Sequence, residues 1–403
     1  MEILFFNRSF YPDTEATGQF LTELCEDLTK SGCNITVICG KSYHVHVERK
    51  SFFIQKEKYK SMDIIRARGT TLPKNFLIFR LINLSFYFIF AFIGGFLVKK
   101  KPEIVITQTD PPVSGLLGIF FAKWYKAKFI YSCKDIYPEV GVITGRLTNP
   151  ILNFLLKKIN LLSFKSADKI ICLGEDMKRR IASKDIDENK IFVIHDWADT
   201  ASIYPIPESE NPFILEYCLQ NYFTVMYSGN IGFTQGLDRV IDVADYFKKN
   251  KKIKFLLVGE GADKINLQKL VNEQGLTNTI FLPYQPKEKL KFSLSAPNLH
   301  LITFVKGLAG VMVPSKIYGI LAAGKPFIAW IDKESEIYTI TEKFKCGIAV
   351  SPGDVQGMIS AIEWSINNNE KLIQMGQNAR QAALDFFDRK ISVAKYKKIF
   401  QEI

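Results

Sequence analysis

The chain has 403 residues, of which 47% are hydrophobic and 23% are charged, and its formal net charge is +12. This composition excludes a disordered, fibrous or collagen-like chain, and the length is large for a single hydrophobic core. We therefore expect a globular protein with two domains.

Seven cysteines are scattered along the sequence without a C-x-x-C pair, as expected in a reducing compartment. The sequence opens on an apolar, strand-like run and lacks the basic segment and cleavage site of a secretory signal. The four histidines have no metal-ligand spacing; His44 and His46 would share one face of a strand, which indicates a surface pair rather than ligands. We therefore predict no metal, no bound cofactor and a cytoplasmic location.

One apolar run, residues 81–98, is nearly long enough to cross a bilayer, but four polar or glycine residues interrupt it. A spanning helix would also separate strands that belong to one expected sheet. Basic residues flank the run, and residues 1–200 hold 29 Lys and Arg against 21 Asp and Glu. Two interpretations remain: a helix near 76–98 that dips into one leaflet and is held by anionic lipid, or a buried helix of a large domain.

In chain order, apolar runs typical of strands alternate with helical patterns, which predicts parallel sheets flanked by helices. The first half has seven expected strands, near 2–7, 34–39, 63–67, 103–107, 128–133, 169–173 and 190–195. A proline-rich run at 205–212 then breaks the pattern and indicates an interdomain hinge. The second half repeats the scheme, with strands near 223–228, 253–258, 279–282, 298–304, 326–331 and 348–350.

The last stretch, 385–403, has the apolar spacing of an amphipathic helix and follows a complete second sheet. We expect it to cross back to the first domain. The predicted class is α/β, with two facing doubly wound domains over 1–205 and 206–385 and a returning helix over 386–403. Ligands of such sheets bind beyond the carboxyl ends of the strands, so the site is expected at that edge, in the cleft between the domains.

A glycine-rich stretch, Tyr227–Gly236, joins an expected strand to an amphipathic helix. Its three glycines allow a sharp turn and close approach of a ligand, and a helix N-terminus attracts anions, so the stretch is suited to phosphate. The alternative is a glycine-rich turn that only packs a helix on a sheet. It is neither a Walker A sequence nor a G-x-G-x-x-G fingerprint, which argues against kinases and dehydrogenases.

Two further elements are expected at the same edge. Val258-Gly-Glu-Gly261 follows the next strand and offers the Glu260 carboxylate to a ribose or sugar hydroxyl. Val313-Pro-Ser-Lys316 precedes a helix that Ser315 could cap, and Lys316 adds a full positive charge. Two helix N-termini and a lysine would neutralise a departing nucleoside diphosphate without a metal. The alternative for Lys316 is a solvated lysine at a helix start.

These three elements, in this order, resemble the donor domain of the retaining glycosyltransferases of family 4, which have the GT-B fold. The resemblance covers nearly the whole chain. It includes Phe10-Tyr-Pro12 with Thr17-Gly18, Asp135-Ile-Tyr-Pro-Glu139, Val193-Ile-His-Asp-Trp-Ala-Asp199, the Pro314–Pro326 block and the returning C-terminal helix. It is most similar to the branch that includes WbuB-type N-acetylfucosamine transferases, which extend polyprenyl-diphosphate-linked sugars.

The resemblance implies a role for each matching residue. Asp135 and Glu139 would orient or deprotonate the acceptor hydroxyl, although a solvated or salt-bridged loop carboxylate is the alternative for both. Arg8 and Tyr11 would lie by the acceptor. The donor would be bound by residues of both domains: Gly18, Gly229, Asn230, Gln235, Gly236, Glu260, Gly261, Tyr284, Gln285, Val313, Pro314, Ser315 and Lys316.

The sequence also departs from the family pattern. Two glutamates eight residues apart hold the donor sugar and ribose in many members, and Val311 and Gly319 stand at those positions. Phe233 and Gln235 replace the basic pair beside the glycine-rich loop. The positive charge is therefore expected from Lys316, helped by Arg239.

The resemblance implies a metal-independent, retaining transferase. Its donor would be a UDP-N-acetylhexosamine such as UDP-N-acetylfucosamine, and its acceptor a polyprenyl-diphosphate-linked sugar in O-antigen or capsule assembly. Its other partner would be the anionic inner face of the cell membrane, and no nucleic acid is expected. Two alternatives stay open: a nucleotide-sugar 2-epimerase of the same architecture, and a membrane scaffold with a decayed site.

Overall fold

The computed structural model describes residues 1–13, 15–40, 53–67, 69 and 77–403, with only the backbone at 77, 78, 80 and 81. The chain divides into two compact units, residues 1–195 with 393–403, and residues 196–392. Each is an α/β unit built on a largely parallel sheet.

The described residues of the first unit form an eight-stranded sheet in the order β3-β4-β2-β1-β5-β6-β7-β8. Their bounds are β1 Glu2–Phe6, β2 Asn34–Gly40, β3 Ile54–Tyr59, β4 Met62–Ala67, β5 Ile104–Gln108, β6 Lys128–Ser132, β7 Lys169–Cys172 and β8 Ile191–Val193. The seven strands expected from the sequence are all present. The additional strand, β3, is antiparallel to β4 at the sheet edge, and its alternating lysines hide the apolar signal of a strand.

The helices of the first unit are α1 Ala16–Lys30, α2 Leu77–Gly95, α3 Gly115–Tyr125, α4 Glu139–Ile143, α5 Pro150–Ser166 and α6 Glu175–Ala182. The central strands β1 and β5 are buried along nearly their whole length, because helices cover both faces of a parallel sheet. Within the described ranges, none of the helices combines the length and apolar character that crossing a bilayer requires.

The second unit has six parallel strands in the order β11-β10-β9-β12-β13-β14. These are β9 Phe223–Ser228, β10 Ile253–Val258, β11 Thr279–Leu282, β12 Leu299–Thr303, β13 Phe327–Trp330 and β14 Gly347–Val350. The helices are α7 Pro212–Glu216, α8 Leu237–Tyr246, α9 Lys264–Glu273, α10 Leu290–Ser295, α11 Lys316–Ala322, α12 Glu336–Phe344, α13 Val355–Asn367 and α14 Asn369–Phe386. All six strands match the expected positions. The apolar face of α8, from Leu237 to Ala244, lies in the core as its spacing predicts.

The division at 195 precedes the expected boundary at 205, and the proline-rich run at 205–212 lies inside the second unit. Side-chain hydrogen bonds explain the difference. Arg380 of α14 donates to the carbonyl oxygens of Thr200 and Ile203, at 3.0 and 2.9 Å, and the backbone pairs Ala198 with Asp388. Residues 198–203 are therefore bound to the second unit and precede the proline-rich run.

The C-terminal helix, α15 Arg389–Gln401, begins in the second unit, and residues 393–403 belong to the first. Its apolar side chains Val393, Tyr396, Ile399 and Phe400 are buried. The amphipathic pattern of 385–403 thus predicted the returning helix, although α14 extends to Phe386 and a separate helix starts after it.

His300 of β12 makes the second unit sensitive to acid. The imidazole is fully buried and its Nε2 lies 2.8 Å from the carbonyl oxygen of Leu294. Burial lowers the pKa of His300 to about 4. The unfolded chain therefore binds a proton near pH 6.5 that the folded chain rejects, so stability falls as the pH drops below about 6.5 and the loss is complete near pH 4.

We expect this loss to be about 3 kcal/mol in the free energy of unfolding. His300→Gln keeps a donor toward Leu294 but cannot be protonated, so its urea-unfolding midpoint should depend less on pH between 7 and 4. Equal pH dependence of the variant and the unchanged protein would contradict this assignment.

Candidate active site

Two loops flank the point where the strand order of the second sheet reverses. The reversal lies between β9 and β12, which are neighbours in the sheet but distant in sequence. The loop after β9 contains Gly229–Gly236, and the segment after β12 leads to Lys316 at the start of α11. Parallel α/β sheets bind ligands at this place, beyond the carboxyl ends of the strands. The structure therefore brings together the two elements to which the sequence assigned phosphate binding.

The side chain of Lys316 crosses the glycine-rich loop at Gly229. A Cβ atom at position 229 would lie 3.3 Å from Cε and 3.4 Å from Nζ of Lys316. Gly229 also has φ +145°, a backbone conformation that favours glycine. Position 229 thus requires glycine twice over, for its backbone and for the passage of the lysine.

Tyr227 and Gln235 hold the Lys316 ammonium in place. Nζ lies 3.6 Å from the centre of the Tyr227 ring and donates to Oε1 of Gln235 at 3.0 Å. The Tyr227 hydroxyl is within hydrogen-bond distance of the same Oε1, at 2.9 Å, and of the Asn230 carbonyl oxygen, at 2.7 Å. An ammonium can only donate, so the amide oxygen of Gln235 faces it.

No carboxylate of the described residues pairs with Lys316, although its surroundings are poorly hydrated. The residue keeps part of its surface exposed, but its ammonium end lies against an aromatic ring and a buried amide. Burial lowers the pKa of Lys316 well below its usual range. An anion bound here would compensate this buried charge. The ammonium of Lys316 is therefore held against the loop and does not extend into solvent as a solvated lysine would.

The loops after β9 and β10 touch through their backbones. The N–H groups of Gly229 and Ile231 donate to the carbonyl oxygens of Val258 and Glu260, at 2.9 and 2.8 Å. A Cβ at Gly259 would lie 1.9 Å from the Gly229 oxygen, and one at Gly261 would lie 2.1 Å from the Ile231 oxygen. Gly259 and Gly261 thus have a packing role, which the sequence did not separate from ligand binding.

This pairing leaves only part of the glycine-rich loop to a ligand. The Asn230 and Gly232 N–H groups donate no hydrogen bond to the described residues. The loop then forms a short 3₁₀ turn, and α8 begins only at Leu237, after Gly236 in the left-handed conformation. The N-terminus of α8 therefore lies eight positions after Gly229 along the chain.

The other residues of the second unit that were predicted to bind the nucleotide-sugar donor lie at the same sheet edge. Glu260 is half exposed and forms an ion pair with Lys264 of α9 at 2.6 Å. A ribose or sugar hydroxyl bound by this carboxylate would therefore have the lysine as a neighbour. The Tyr284 hydroxyl lies 3.4 Å from the Glu260 carbonyl oxygen, and the Tyr284 ring is exposed. Gln285 donates to the Pro283 carbonyl at 3.2 Å.

The segment directly before α11 is mostly buried, and its serine does not cap the helix. Val313 and Pro314 are buried. Ser315 was expected to cap α11, and this prediction is wrong: its backbone is helical and its side chain forms no capping hydrogen bond. The helix has only seven residues, so Lys316 itself is the main source of positive charge.

The positions of the two missing glutamates are closed to a ligand or are turned toward a neighbouring helix. Val311 is fully buried. A Cβ at Gly319 would lie 3.1 Å from Cδ1 of Leu294 on α10. The chain has thus filled both positions with packing residues.

In the first unit, Arg8 lies at the corresponding switch point, between β1 and β5. Its guanidinium pairs with Asp110 at 3.0 Å and with Glu15 at 3.8 Å. Tyr11 stacks on Tyr59 at a ring distance of 3.9 Å. Gly18 is buried in the first turn of α1, where a Cβ would lie 3.2 Å from Ser9. Arg8 is therefore a neutralised cation, unlike Lys316.

Asp135 and Glu139 follow β6 at the same edge of the first sheet. The N–H groups of Lys134 and Asp135 donate to the Thr109 hydroxyl, at 3.0 and 3.1 Å, which fixes this loop. Glu139 is ion-paired with Lys184, and its Oε2 is buried without a hydrogen-bond donor in the described part of the chain. One oxygen of Glu139 is therefore left to accept a hydrogen bond.

The structure adds residues that the sequence reasoning missed. Tyr227, Lys184 and Asp110 each hold a predicted site residue in place. Tyr227 could have been found from its position at the end of β9, directly before the loop. No group of three metal-ligating side chains is found within the described residues. His44 and His46 lie outside them.

Two family models match successive parts of the chain. The model described as Glycosyltransferase Family 4 matches residues 17–202, and the model described as Glycosyl transferases group 1 matches residues 219–382. The chain is 27% identical over 267 residues to the probable glycosyltransferase WbjE of Pseudomonas aeruginosa, covering 66% of each chain. It is 22% identical to the putative colanic acid biosynthesis glycosyl transferase WcaI of Escherichia coli K12, over 91% of this chain and 92% of that one.

Solved structures have the same fold. The sucrose-phosphate synthase of Thermosynechococcus elongatus matches with a TM-score of 0.80 and 15% identity, over 100% of this chain and 98% of that one. Anabaena HepE, in a complex with UDP-glucose, matches with a TM-score of 0.74 and 16% identity over the whole of both chains. The chain is a glycosyltransferase of the GT-B fold, in which residues 17–202 match the family 4 model and residues 219–382 match the group 1 model.

Proposed function

We propose that the protein is a metal-independent, retaining glycosyltransferase. It moves a sugar from a UDP-sugar to a sugar on a lipid diphosphate in the assembly of a bacterial surface polysaccharide. The observation that supports this most directly is Lys316, a cation that crosses Gly229 at the switch point without a carboxylate partner among the described residues. A diphosphate supplies the missing negative charge.

The comparisons support a nucleotide-sugar donor and a role in polysaccharide assembly. One structural neighbour binds UDP-glucose, and one relative is named for colanic acid biosynthesis. We further propose a UDP-N-acetylhexosamine such as UDP-N-acetylfucosamine as donor, on the resemblance to the WbuB-type branch.

In this mechanism Lys316 and the Asn230 and Gly232 N–H groups stabilise the leaving diphosphate as its charge grows. Retention follows if the acceptor hydroxyl attacks from the face that the diphosphate leaves. Glu139, which is paired with Lys184, and Asp135 would orient that hydroxyl.

Screening UDP-sugars for UDP release with a polyprenyl-diphosphate-linked acceptor tests the proposal. We expect release with one donor in the presence of EDTA, and about a hundredfold loss of turnover in Lys316→Met. Full turnover of Lys316→Met would refute the phosphate role. A lipid-free 2-epimer as the product would assign the protein to the epimerases. If no donor led to UDP release, the protein would be assigned to the other alternative, a membrane scaffold with a decayed site.

Gln235 allows a sharper test, because its amide can be replaced either by a carboxylate or by an apolar group. Gln235→Glu would place a carboxylate against the Lys316 ammonium and compete with the diphosphate, whereas Gln235→Leu removes only the positioning hydrogen bond. We expect UDP affinity to fall by about 2 kcal/mol, about thirtyfold in Kd, in Gln235→Glu and by less in Gln235→Leu. Calorimetric titration measures both values. Equal affinities in the two variants would contradict the role of Lys316 charge.

UDP binding should also be coupled to proton uptake. Burial lowers the pKa of the free Lys316, and a bound diphosphate raises it again. Above the lowered pKa, binding therefore takes up a proton and UDP affinity falls as the pH rises. Below it, the lysine is already charged and affinity does not depend on this group. Calorimetry in two buffers with different ionisation enthalpies measures the uptake. Lys316→Met should abolish it, and an unchanged uptake in that variant would refute the assignment.

A further inference from the structure

Three helices of the first unit form one continuous layer on one face of its sheet. Helix α2 packs on β2 and β4, and a Cβ at Gly94 would lie 3.1 Å from Ile65. Gly95 lies against the Phe121 ring of α3, and Gly115 of α3 lies against Ser163 of α5. The glycines that interrupt the apolar run are thus packing positions, and α2 is bound to the sheet along one side.

The outward side of this layer is apolar and exposed. Large hydrophobic side chains on or directly after these helices are between 37% and 71% exposed: Phe86, Ile89 and Ile93 of α2, Phe96 directly after it, Phe120 and Trp124 of α3, and Ile151, Phe154, Leu155 and Leu162 of α5. Ile151, Phe154, Leu155 and Leu162 fall on one helical face. Soluble surfaces rarely carry so many exposed apolar side chains in one layer, so this side is suited to an interaction.

The charge of the layer is of one sign. No Asp or Glu occurs in α2, α3 or α5, whereas Lys123, Lys157, Lys158 and Lys165 are exposed on α3 and α5. None of the three lysines of α5 pairs with a carboxylate of the described chain, and Nζ of Lys158 lies 5.4 Å from the centre of the Phe154 ring. An apolar, acid-free surface with unpaired lysines is complementary to anionic lipid.

We propose that the outward side of α2, α3 and α5 docks flat on an anionic bilayer. The apolar side chains enter the boundary between head groups and acyl chains, and the lysines contact lipid phosphates. The sequence indicated only the helix near 76–98, which α2 represents, whereas the structure adds α5 and Trp124 as a second contact region. The proposal rests on the proposed function in that a lipid-linked acceptor gives the enzyme a reason to bind a bilayer.

Vesicle sedimentation with the full chain tests this surface without any substrate. The probe vesicles contain phosphatidylcholine with about one third phosphatidylglycerol. We expect the triple variant Phe154→Gln, Leu155→Gln and Leu162→Gln to have a partition constant for the vesicles that is lower by at least about tenfold. The matched control makes the same change at three exposed apolar positions on helices of the second unit, Ile265, Ile373 and Leu384, and should bind normally.

A second variant tests the charge and does not alter apolar packing. Lys157→Gln with Lys158→Gln and Lys165→Gln should lose binding to the anionic vesicles, and the unchanged protein should bind pure phosphatidylcholine weakly. The control replaces Lys249, Lys251 and Lys252 of the second unit. Equal binding by the α5 variants and their controls, or equal binding of the unchanged protein to both kinds of vesicle, would overturn the proposal.

Trp124 reports the geometry directly, because it is 60% exposed while Trp197 and Trp330 are buried. Its fluorescence should shift to the blue on anionic vesicles and be quenched by brominated acyl chains, and Trp124→Phe should remove that response. If the layer instead binds a second copy of the chain, sedimentation velocity without lipid would show a dimer that the α5 variant dissociates, and vesicle binding would not change.

The outcome is separable from that of the proposed function. UDP release with a detergent-solubilised acceptor should be the same in the α5 variants and the unchanged protein, since none of the changed side chains is assigned to the donor or the acceptor. Absence of UDP release in all of them would refute the proposed function alone, and normal release with unchanged vesicle binding would refute the docking surface alone.

Discussion

The candidate site of the second unit depends on one lysine whose ammonium end is poorly hydrated. Removing an ammonium from water costs free energy unless polar groups replace the lost hydration. Here an aromatic ring and one amide oxygen provide partial compensation for Lys316, and the described carboxylates provide none. An anion bound beside the lysine would supply the compensation that is still missing. Gly229, Tyr227 and Gln235 are constrained together because each of them contacts this one side chain or lets it pass.

The same constraint explains how the chain departs from the usual family pattern. A basic residue at position 235 would place a second cation within about 3 Å of the Lys316 ammonium, where like charges repel strongly. Glutamine at 235 accepts a hydrogen bond from the lysine instead. The charge has moved from the glycine-rich loop to the start of α11, and the loop contributes the surface on which the lysine lies. Likewise, the packing of Val311 and Gly319 leaves the donor sugar to other groups than the usual glutamates.

The sequence predicted the sheets well, because strands buried on both faces form continuous apolar runs and their order follows from alternation with helices. It did not reveal β3, whose lysines obscure the pattern, or the division at 195, which depends on hydrogen bonds between residues far apart in sequence. The convergence of the Gly229 loop and Lys316 followed from topology. The functions of individual glycines did not, since Gly229 and Gly261 look alike in sequence and differ only in what approaches them. The failed cap at Ser315 has a similar origin, because a side-chain rotamer depends on its neighbours in space.

The two units treat charge in opposite ways, and this difference constrains what each one binds. In the first unit Arg8 is matched by Asp110 and Glu15, and Glu139 by Lys184. A diphosphate at this edge would have to displace carboxylates that already hold the arginine, whereas a neutral hydroxyl needs only a free acceptor such as an oxygen of Glu139. In the second unit the lysine has no competing carboxylate within the described residues. Under the proposed function, charge compensation therefore favours the diphosphate at Lys316 and the acceptor hydroxyl at the edge of the first sheet.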